Sequence, residues 1–438
     1  MAHAEKRGKS WRVRYKLPNG EFGSESGFPT KSAAIKRGND LEADTRHGRF
    51  VDPRQARTPF GEWAATWMAV QHVAPSTVAK RRRLLSRHLL PEWEFTPLCD
   101  INLFAAKAWG NRQTCSPTTA GHALTLLSMI LTGAADAGHL IGNPLYGRSR
   151  KAGSRRAESV EQVWAQPDEA FRIGERLGGV SGLMVITEAW SGLRWGELAG
   201  LHRSNCLLVR KDRLENGKPF LRHVIRIDPK VGSLHEVEFP LSETELATWK
   251  ASEDARVAVA LAAGKSPRRR KDPAHRVDLF LDPPKNEKSA REIDIPPFLV
   301  DLLAQHLAGW KHEFVFATPS KGTFWRRGNF ARQQLRPAAD GRTAIPRKVG
   351  SAGRVGWEPI LPGVTMRSLR HTHDTWMKED RVDRALRFQT MGWVVQDIEG
   401  TYEHVTPQMR KERLDALQAR WERATGGIAG GRLAPTGS

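Results

Sequence analysis

Two arginines in the C-terminal half of the chain stand where a guanidinium group could grip an anion. Arg194 follows Ser191–Gly192, where an apolar helix is broken, so it opens the next helix beside the positive end of that helix dipole. Glu197 could pair with Arg194 and orient it. Arg370 lies in the stretch Arg367–His373, which opens another helix. Two such guanidiniums could hold the non-bridging oxygens of a phosphodiester while in-line attack builds charge on the phosphorus.

Tyr402 could supply a nucleophile for that attack. It is one of three tyrosines and lies among charged residues in Gly-Thr-Tyr-Glu-His, nine residues after Trp393. Earlier in the chain, Lys285 and Lys288 occupy a polar stretch, and the alternation over Glu292–Ile295 then predicts a strand. This pattern places both lysines on a β-hairpin. Taken singly, the tyrosine fits a core position near a helix end, and the lysines fit a solvated turn.

Taken together and in this order, the four stretches resemble the phage-integrase family of tyrosine recombinases. They match the R-x-G-E-L box at Arg194, the lysine hairpin, the H-x-x-R box that ends at Arg370, and a Gly-Trp pair followed nine residues later by Thr-Tyr. The resemblance is close over residues 160–425 and extends loosely upstream. It implies DNA as the substrate, cut and rejoined at two short sites to integrate or excise a phage or mobile element.

The resemblance also implies a role for each residue. Tyr402 would become 3′-phosphotyrosyl-linked to DNA, which conserves the bond energy so that no metal, ATP or other cofactor is needed. Arg194 and Arg370 would hold the phosphate, and Lys285 would protonate the leaving 5′-hydroxyl. Trp393, where the family has His or Trp, would donate its indole N–H to a phosphate oxygen.

The chain departs from the family pattern where Arg367 replaces the usual histidine. An arginine cannot accept a proton at neutral pH, so it cannot be the general base, although it can still donate hydrogen bonds and charge. The base stays open between water, His371 and His404. Slower but real catalysis is predicted.

A second departure is the long separation between Arg194 and Lys285. It predicts an inserted segment around Ala255–His275, whose basic run Pro267–Lys271 is expected to contact DNA. It also leaves Lys230 as a rival for the general acid.

Length and composition are those of a soluble globular protein of about three domains. The net charge is +21, which favours a polyanionic partner because neutralised phosphates release their counterions. No apolar run is long enough to span a membrane, and no secretory signal is found, so we expect a cytoplasmic, nucleoid-associated protein. The three cysteines lie far apart, which excludes a disulfide framework and a Cys-x-x-Cys metal site.

The predicted fold is mainly α with small β-sheets, in three domains and a flexible tail. Residues 1–52 are expected to form an arm-type DNA-binding module of a small sheet plus a helix, because apolar Trp11, Val13, Tyr15 and Leu17 alternate with cationic Arg12, Arg14 and Lys16. Residues 58–146 predict a helical core-binding domain with Ser76 as a helix N-cap. There the basic block consists of Lys80, Arg81, Arg82 and Arg83. Residues 160–425 predict the catalytic domain, and 426–438 the tail.

The expected partners are double-stranded DNA carrying attachment sites, three further copies of the chain in a tetramer, and possible accessory factors, namely an excisionase or a DNA-bending protein. A helix over Met409–Arg423, striped by Leu414, Leu417 and Trp421, either packs on its own core or docks on a neighbouring protomer, as such tails do in this family. Two other functions are weighed. A type IB topoisomerase shares the chemistry but relaxes DNA as a monomer, and a DNA-binding regulator would keep the fold without catalysis.

Overall fold

A computed structural model of the chain describes residues 2–17, 20–48, 50–147, 162–213, 219–264, 266–273, 275–285, 287–346, 353–393 and 404–426. The chain divides into two compact units, Met1–Ser159 and Val160–Ser438. The first unit contains two separate hydrophobic cores. Its further division into an arm-type module and a helical domain stays a prediction. Tyr402, most of the basic linker after residue 147 and nearly all of the predicted tail lie outside the described residues.

The N-terminal core is built from a three-stranded antiparallel sheet and one helix. The strands, in the order β1-β2-β3, are His3–Arg7, Ser10–Lys16 and Phe22–Phe28, and the helix α1 is Lys31–Arg46. Val13 and Tyr15 are buried, while Arg12, Arg14 and Lys16 occupy the other face of β2. The alternation therefore predicts the two faces correctly. Strand β1, which pairs with β2, was not predicted.

The second core of this unit is helical. Its helices are α2 (Pro53–Ala56), α3 (Phe60–Ala69), α4 (Pro75–Leu84), α5 (Leu90–Trp93), α6 (Leu103–Arg112) and α7 (Pro117–Asp136). A π-helical segment, Leu85–Leu89, joins α4 to α5. The prediction of Ser76 as N-cap is wrong, because α4 already begins at Pro75 after Ala74. Proline suits the first helical position, where its missing N–H would have no partner in any case.

In the second unit, helices surround the almost wholly buried α9. The helices are α8 (Pro167–Leu177), α9 (Gly179–Ser191), α10 (Trp195–Ala199), α11 (Glu243–Ala262), α12 (Pro297–Gly309), α13 (Arg327–Phe330), α14 (Arg336–Asp340), α15 (Met366–Glu379), α16 (Arg384–Met391) and α17 (Pro407–Ala424). Trp190 of α9 is fully buried, and its ring lies 4.8 Å from Trp376, 5.4 Å from Trp421 and 5.6 Å from Phe298. Such edge-to-face pairs add about 0.5–1.5 kcal/mol each to the burial of the rings. This aromatic cluster fixes α9 and therefore the position of Arg194 just beyond it.

Two small antiparallel sheets complete the second unit. One has the order β4-β5-β8, formed by Cys206–Arg213, Pro219–Arg226 and Glu292–Asp294; the other pairs β6 (Ser233–Pro240) with β7 (His275–Asp282). The predicted lysine hairpin is wrong, because the strand before Lys285 pairs with β6 and the strand after Lys288 pairs with β5. The two lysines lie on a connection between sheets. Strand β7 pairs with β6 over eight residues, which gives more backbone hydrogen bonds than pairing with the three-residue β8 would.

Helix α17 packs on its own unit along the part that the structure describes. Leu417 and Trp421 are buried, and Trp421 stacks on Phe298 with ring centroids 4.1 Å apart. The stripe prediction is therefore right for these two residues, whereas Leu414 is only half-buried. Of the two alternatives for this helix, the structure has packing in cis. Across the described residues, no helix is both long and apolar enough to cross a membrane.

Candidate active site

Arg194 is held by a buried carboxylate at the start of α10. It is the N-cap residue of that helix, and its backbone N–H and guanidinium donate to Glu197 at 2.9 and 2.7 Å. Arg291 binds the same carboxylate from the other side, with N–H···O distances of 2.9 and 3.0 Å. Glu197 is 2% exposed and the Arg291 side chain 4%, while the Arg194 side chain is 35% exposed. One carboxylate thus orients two guanidiniums, of which Arg194 reaches the surface.

Arg370 lies beside Arg194, because the two side chains bind the backbone carbonyls of the neighbouring residues Met391 and Gly392. Arg370 donates to the carbonyls of Gly192 and Met391, and Arg194 donates to the carbonyl of Gly392 at 3.1 Å. The close approach depends on Gly192, which ends α9 at φ 67°. A Cβ there would lie 2.7 Å from the His373 ring, so only glycine fits both the conformation and the space.

The charges around these arginines are strongly perturbed by burial. Burial raises the pKa of Glu197, but the Arg291 guanidinium, followed by Arg194, outweighs this and leaves that pKa below its usual value. Burial, followed by the nearby Arg194, lowers the pKa of Arg370 to about 9, which leaves it charged at neutral pH. Burial raises the pKa of Glu188 well above its usual value, although Arg370 opposes the rise. Neither carboxyl oxygen of Glu188 has a hydrogen-bond partner among the described residues.

A cleft of about 640 Å³ adjoins the Glu197–Arg291 pair. Trp393 and His404, the described residues on either side of segment 394–403, both line it. The Trp393 ring is fixed edge-on against Phe388 at 5.5 Å. The other lining residues are Arg222, Lys288, Ala290, Arg291, Glu292, Ala385, Phe388, Gln389, Val405 and Arg410. Three of its four cationic side chains already pair with carboxylates, Arg222 and Arg410 with Asp294 and Arg291 with Glu197, so Lys288 carries most of the charge that the cleft offers an anionic ligand.

Arg367 and His371 lie on the exposed side of α15, one turn apart. Arg367 Nε makes a long contact of 3.5 Å with His371 Nε2. Burial lowers the pKa of His371, and the neighbouring Arg367 and Arg370 lower it further. The lowered pKa favours the neutral imidazole, whose Nε2 accepts from Arg367, so His371 acts as a base only when that contact opens. The structure leaves the choice between His371, His404 and water open.

The candidate general acids lie at different places in the structure, and the structure does not identify which of them would contact the phosphate. Lys285 is exposed, whereas Lys288 lines the cleft and precedes Ser289, whose hydroxyl accepts from Arg194 at 3.0 Å. Lys230 is exposed in the turn between β5 and β6. The assignment of Lys285 rests on the family resemblance and stays a prediction.

The candidate DNA-contacting residues of the first unit differ in how far they are already paired. Arg12 forms an ion pair with Glu5 at 2.7 Å, and Arg14 lies 3.9 Å from the same carboxylate. Lys16 is exposed. On α4, Arg81 donates to Gln71 at 2.8 Å and lies over the Trp67 ring. The remaining members of the basic block, Lys80, Arg82 and Arg83, are exposed.

Two of the four cations in the basic run after α11 are neutralised by acidic residues of that helix. Arg269 pairs with Asp254 at 2.6 Å, and Arg270 pairs with Glu253 at 3.2 Å. Within the described part of the chain, Arg268 and Lys271 form no ion pair, so they retain the charge that the predicted DNA contact requires. The contact itself stays a prediction for these two residues.

Arg291 and Ser289 are the site residues that the sequence analysis missed. Arg291 also donates to the carbonyls of Thr390 at 2.7 Å and Ser289 at 2.8 Å, so it ties the β8 sheet to α16. A lone arginine after a polar turn is usually solvated, which is why it drew no attention. A signal was nevertheless present, because a glutamate that becomes buried beside Arg194 requires compensating cations.

Comparison with known proteins gives one sequence relative and one group of structural neighbours. The chain is 30% identical over 149 residues to the putative prophage phiRv2 integrase of Mycobacterium tuberculosis, in strains CDC 1551 / Oshkosh and ATCC 25618 / H37Rv. The match covers 34% of this chain and 39% of the relative, so it spans well under half of that protein's length. No protein-family model matches the chain.

The structural neighbours include two structures of the Tn1549 transposon integrase, one in complex with transposon right end DNA and one with a circular intermediate DNA. Each superposes with a TM-score of 0.50 at 15% sequence identity. They cover 84% and 83% of this chain and 99% of the integrase chain. The chain therefore has the fold of tyrosine recombinase integrases, and the resemblance of its sequence to phage integrases is confirmed.

Proposed function

We propose that the protein is a site-specific tyrosine recombinase that integrates or excises a phage or mobile element through a 3′-phosphotyrosyl intermediate. One observation carries the proposal. Arg194 and Arg370 bind the consecutive carbonyls of Gly392 and Met391. Met391 and Gly392 directly precede Trp393, which lines the same cleft as His404. Tyr402 is two residues before His404 in the sequence, so the proposed nucleophile belongs to the segment that this cleft bounds.

In the proposed reaction, the Tyr402 oxygen attacks the scissile phosphorus and the bond to the 5′-oxygen breaks. Arg194 and Arg370 hold the non-bridging oxygens, where permanent charge and a forked donor geometry are most effective. Lys285 gives its proton to the departing 5′-oxygen, and Trp393 donates its indole N–H to a phosphate oxygen. In the reverse step, the 5′-hydroxyl of a partner strand attacks the phosphotyrosine and releases Tyr402, so the number of phosphodiester bonds is conserved.

The proton of Tyr402 must go to a base other than Arg367. His371, which directly follows Arg370 in the sequence, is one candidate, since its lowered pKa favours the neutral imidazole that can accept a proton. Arg367, which is exposed on the same helix face, would add charge near the phosphate.

The proposed partners are duplex DNA with attachment sites and three further copies of the chain. The Tn1549 integrase is bound to transposon right end DNA in one solved structure and to a circular intermediate DNA in another, which supports a DNA substrate here. The net charge of +21 supports the same partner. The exposed cations of β2 and α4 are the proposed contacts of the first unit. An excisionase or DNA-bending protein would act on the assembled complex.

The test is incubation of the purified chain with nicked duplexes taken from beside its own gene. A nick lets the short 5′-hydroxyl strand diffuse away and traps the covalent complex. We expect a denaturant-resistant protein–DNA adduct that Tyr402→Phe abolishes and that forms in the presence of EDTA. Specific DNA binding without an adduct would indicate a regulator instead. Relaxation of supercoiled plasmids that lack an attachment site would indicate a topoisomerase.

A further inference from the structure

Two arginines of the second unit pack over one indole ring, and two further arginines are their electrostatic neighbours. Residues 342–346 and 353–357 form an antiparallel pair, in which Arg342 bridges to Trp357 and Ile345 to Arg354. The Arg342 guanidinium lies 3.2 Å from the centre of the Trp357 ring, and that of Arg176, from α8, lies 5.6 Å from it. Arg172 is one turn before Arg176 on α8. We call Arg172, Arg176, Arg342 and Arg354 the Trp357 arginine cluster.

The hydrogen bonds of the cluster are made to carbonyl groups. Arg342 Nε donates to Val355 at 3.0 Å, Arg354 Nη2 donates to Thr343 at 3.3 Å, and Arg176 Nη1 donates to Ala338 and Glu358 at 2.7 Å each. Across the described ranges, none of the four arginines forms an ion pair with a carboxylate. Each of the three named guanidiniums keeps further N–H groups that bond nothing in those ranges. A guanidinium has five N–H groups on three nitrogens, and each of these three guanidiniums binds carbonyls through one nitrogen only.

The arginines also repel one another. Burial lowers the pKa of Arg342, and Arg354 and Arg176 lower it further. Burial lowers the pKa of Arg176, Arg172 adds to this, and only the Glu358 carboxylate opposes it. The π-face of Trp357 stabilises a cation stacked on it, but it does not neutralise several. Arg420, which is more deeply buried in the same unit, has acidic partners in Asp380 and Glu379.

Uncompensated guanidiniums that share an aromatic anchor and present free N–H groups match the geometry of a phosphate diester.

We propose that the Trp357 arginine cluster binds the sugar–phosphate backbone of duplex DNA outside the cleavage site. This inference rests on the proposed function for its choice of DNA as the anion. It adds a contact that positions the duplex without reading its sequence, because guanidinium–phosphate contacts carry no base information. Cleavage chemistry does not pass through it.

The test is the salt dependence of binding to a fluorescent duplex of random sequence, measured by anisotropy between roughly 50 and 200 mM salt. The double variant Arg342→Gln/Arg354→Gln is compared with the wild-type chain. Each lost phosphate contact lowers the slope of log K against log salt by about 0.9, so we expect a decrease of nearly 2 and weaker binding on every sequence. Adduct formation on nicked DNA at saturating protein should stay at the wild-type level.

Two further variants keep the result decisive. Arg112→Gln/Arg269→Gln removes the same charge from two exposed arginines that already have acidic partners, Glu92 and Asp254, and should change the slope by much less. Arg342→Lys/Arg354→Lys keeps the charge and should retain most of the slope, which distinguishes lost contacts from a disrupted fold.

An unchanged slope in the glutamine variant overturns the proposal, as does a slope change equal to that of the charge control. So does a wild-type chain that does not bind duplex DNA. A wild-type chain that binds DNA with the predicted slope difference but forms no adduct leaves this proposal supported and refutes the recombinase function instead.

Discussion

Arg291→Met tests whether the buried Arg194–Glu197–Arg291 network is as important as its geometry indicates. The substitution keeps the apolar stem of the side chain but removes both hydrogen bonds to Glu197 and those to the Thr390 and Ser289 carbonyls. Glu197, at 2% exposure, would then have Arg194 as its remaining cationic partner in the described structure. Breaking a buried ion pair from one side costs about 3–5 kcal/mol. We expect a loss of that size in the free energy of unfolding of the second unit at neutral pH.

The expected loss depends on pH in a definite direction. In the wild-type chain burial raises the pKa of Glu197, but Arg291 and Arg194 bring it below the usual value. The carboxylate therefore contributes stability above its unfolded pKa, and this contribution disappears as the pH falls through the lower folded pKa. Without Arg291 the effect of burial prevails, and Glu197 takes up a proton more readily. The difference between variant and wild type should consequently shrink as the solution is made acidic.

The assay is urea denaturation followed by tryptophan fluorescence, with hydrogen exchange assigning each transition to one of the two units. Arg112→Met is the matched control, because Arg112 pairs with Glu92 at 2.7 Å but is 66% exposed. An exposed pair contributes about 0–1 kcal/mol. The double variant Glu197→Gln/Arg291→Met should recover part of the loss. A loss for Arg291→Met no larger than that of the control, or one that is constant with pH, would refute the reasoning.

Three further substitutions have distinct expected outcomes. Burial raises the pKa of Glu188, so the folded chain retains a proton that the unfolded chain releases. The free energy of unfolding therefore falls by about 1.4 kcal/mol per pH unit between the unfolded and the folded pKa. Glu188→Gln should gain stability over wild type with rising pH in thermal denaturation, and parallel curves would contradict this. Arg381 has φ 54° just beyond α15, so Arg381→Gly should stabilise the chain by up to about 1 kcal/mol in urea titration, whereas Arg336→Gly, at a helical position, should destabilise it by a similar amount. Arg367→His restores a proton acceptor and should increase the rate of adduct formation on nicked DNA; abolition of cleavage would show that the role given to Arg367 is wrong.

Local features of the sequence predicted much of the fold and part of the site. The break after α9 follows from Ser191–Gly192, and the pairing of Glu197 with Arg194 follows from their spacing at a helix start. The helix over Lys31–Arg46 and the two faces of β2 follow from periodicity alone. Each of these features depends on residues within a few positions of one another, which is the range over which periodicity and capping act.

Features that depend on distant pairing were missed. Strand β8 pairs with β5 across the intervening β6, α11 and β7, so the lysine connection could not be recognised as a crossing between sheets. Arg291 becomes a buried ligand of Glu197 only through that crossing. Helix α17 presents a similar case, because Arg413 and Arg420 share its buried face with Leu417 and Trp421. An apolar stripe cannot reveal buried arginines whose partners, such as Asp380, lie on another helix.

The most direct test of the central claim is to locate the covalent bond to DNA within the chain. The adduct formed on nicked DNA would be treated with nuclease and trypsin and analysed by tandem mass spectrometry. The expected tryptic peptide, Phe388–Arg410, contains a single tyrosine. The proposed mechanism predicts a nucleotide attached through its 3′-phosphate to Tyr402 of that peptide. A nucleotide on any other residue, or an adduct that persists in Tyr402→Phe, would contradict it.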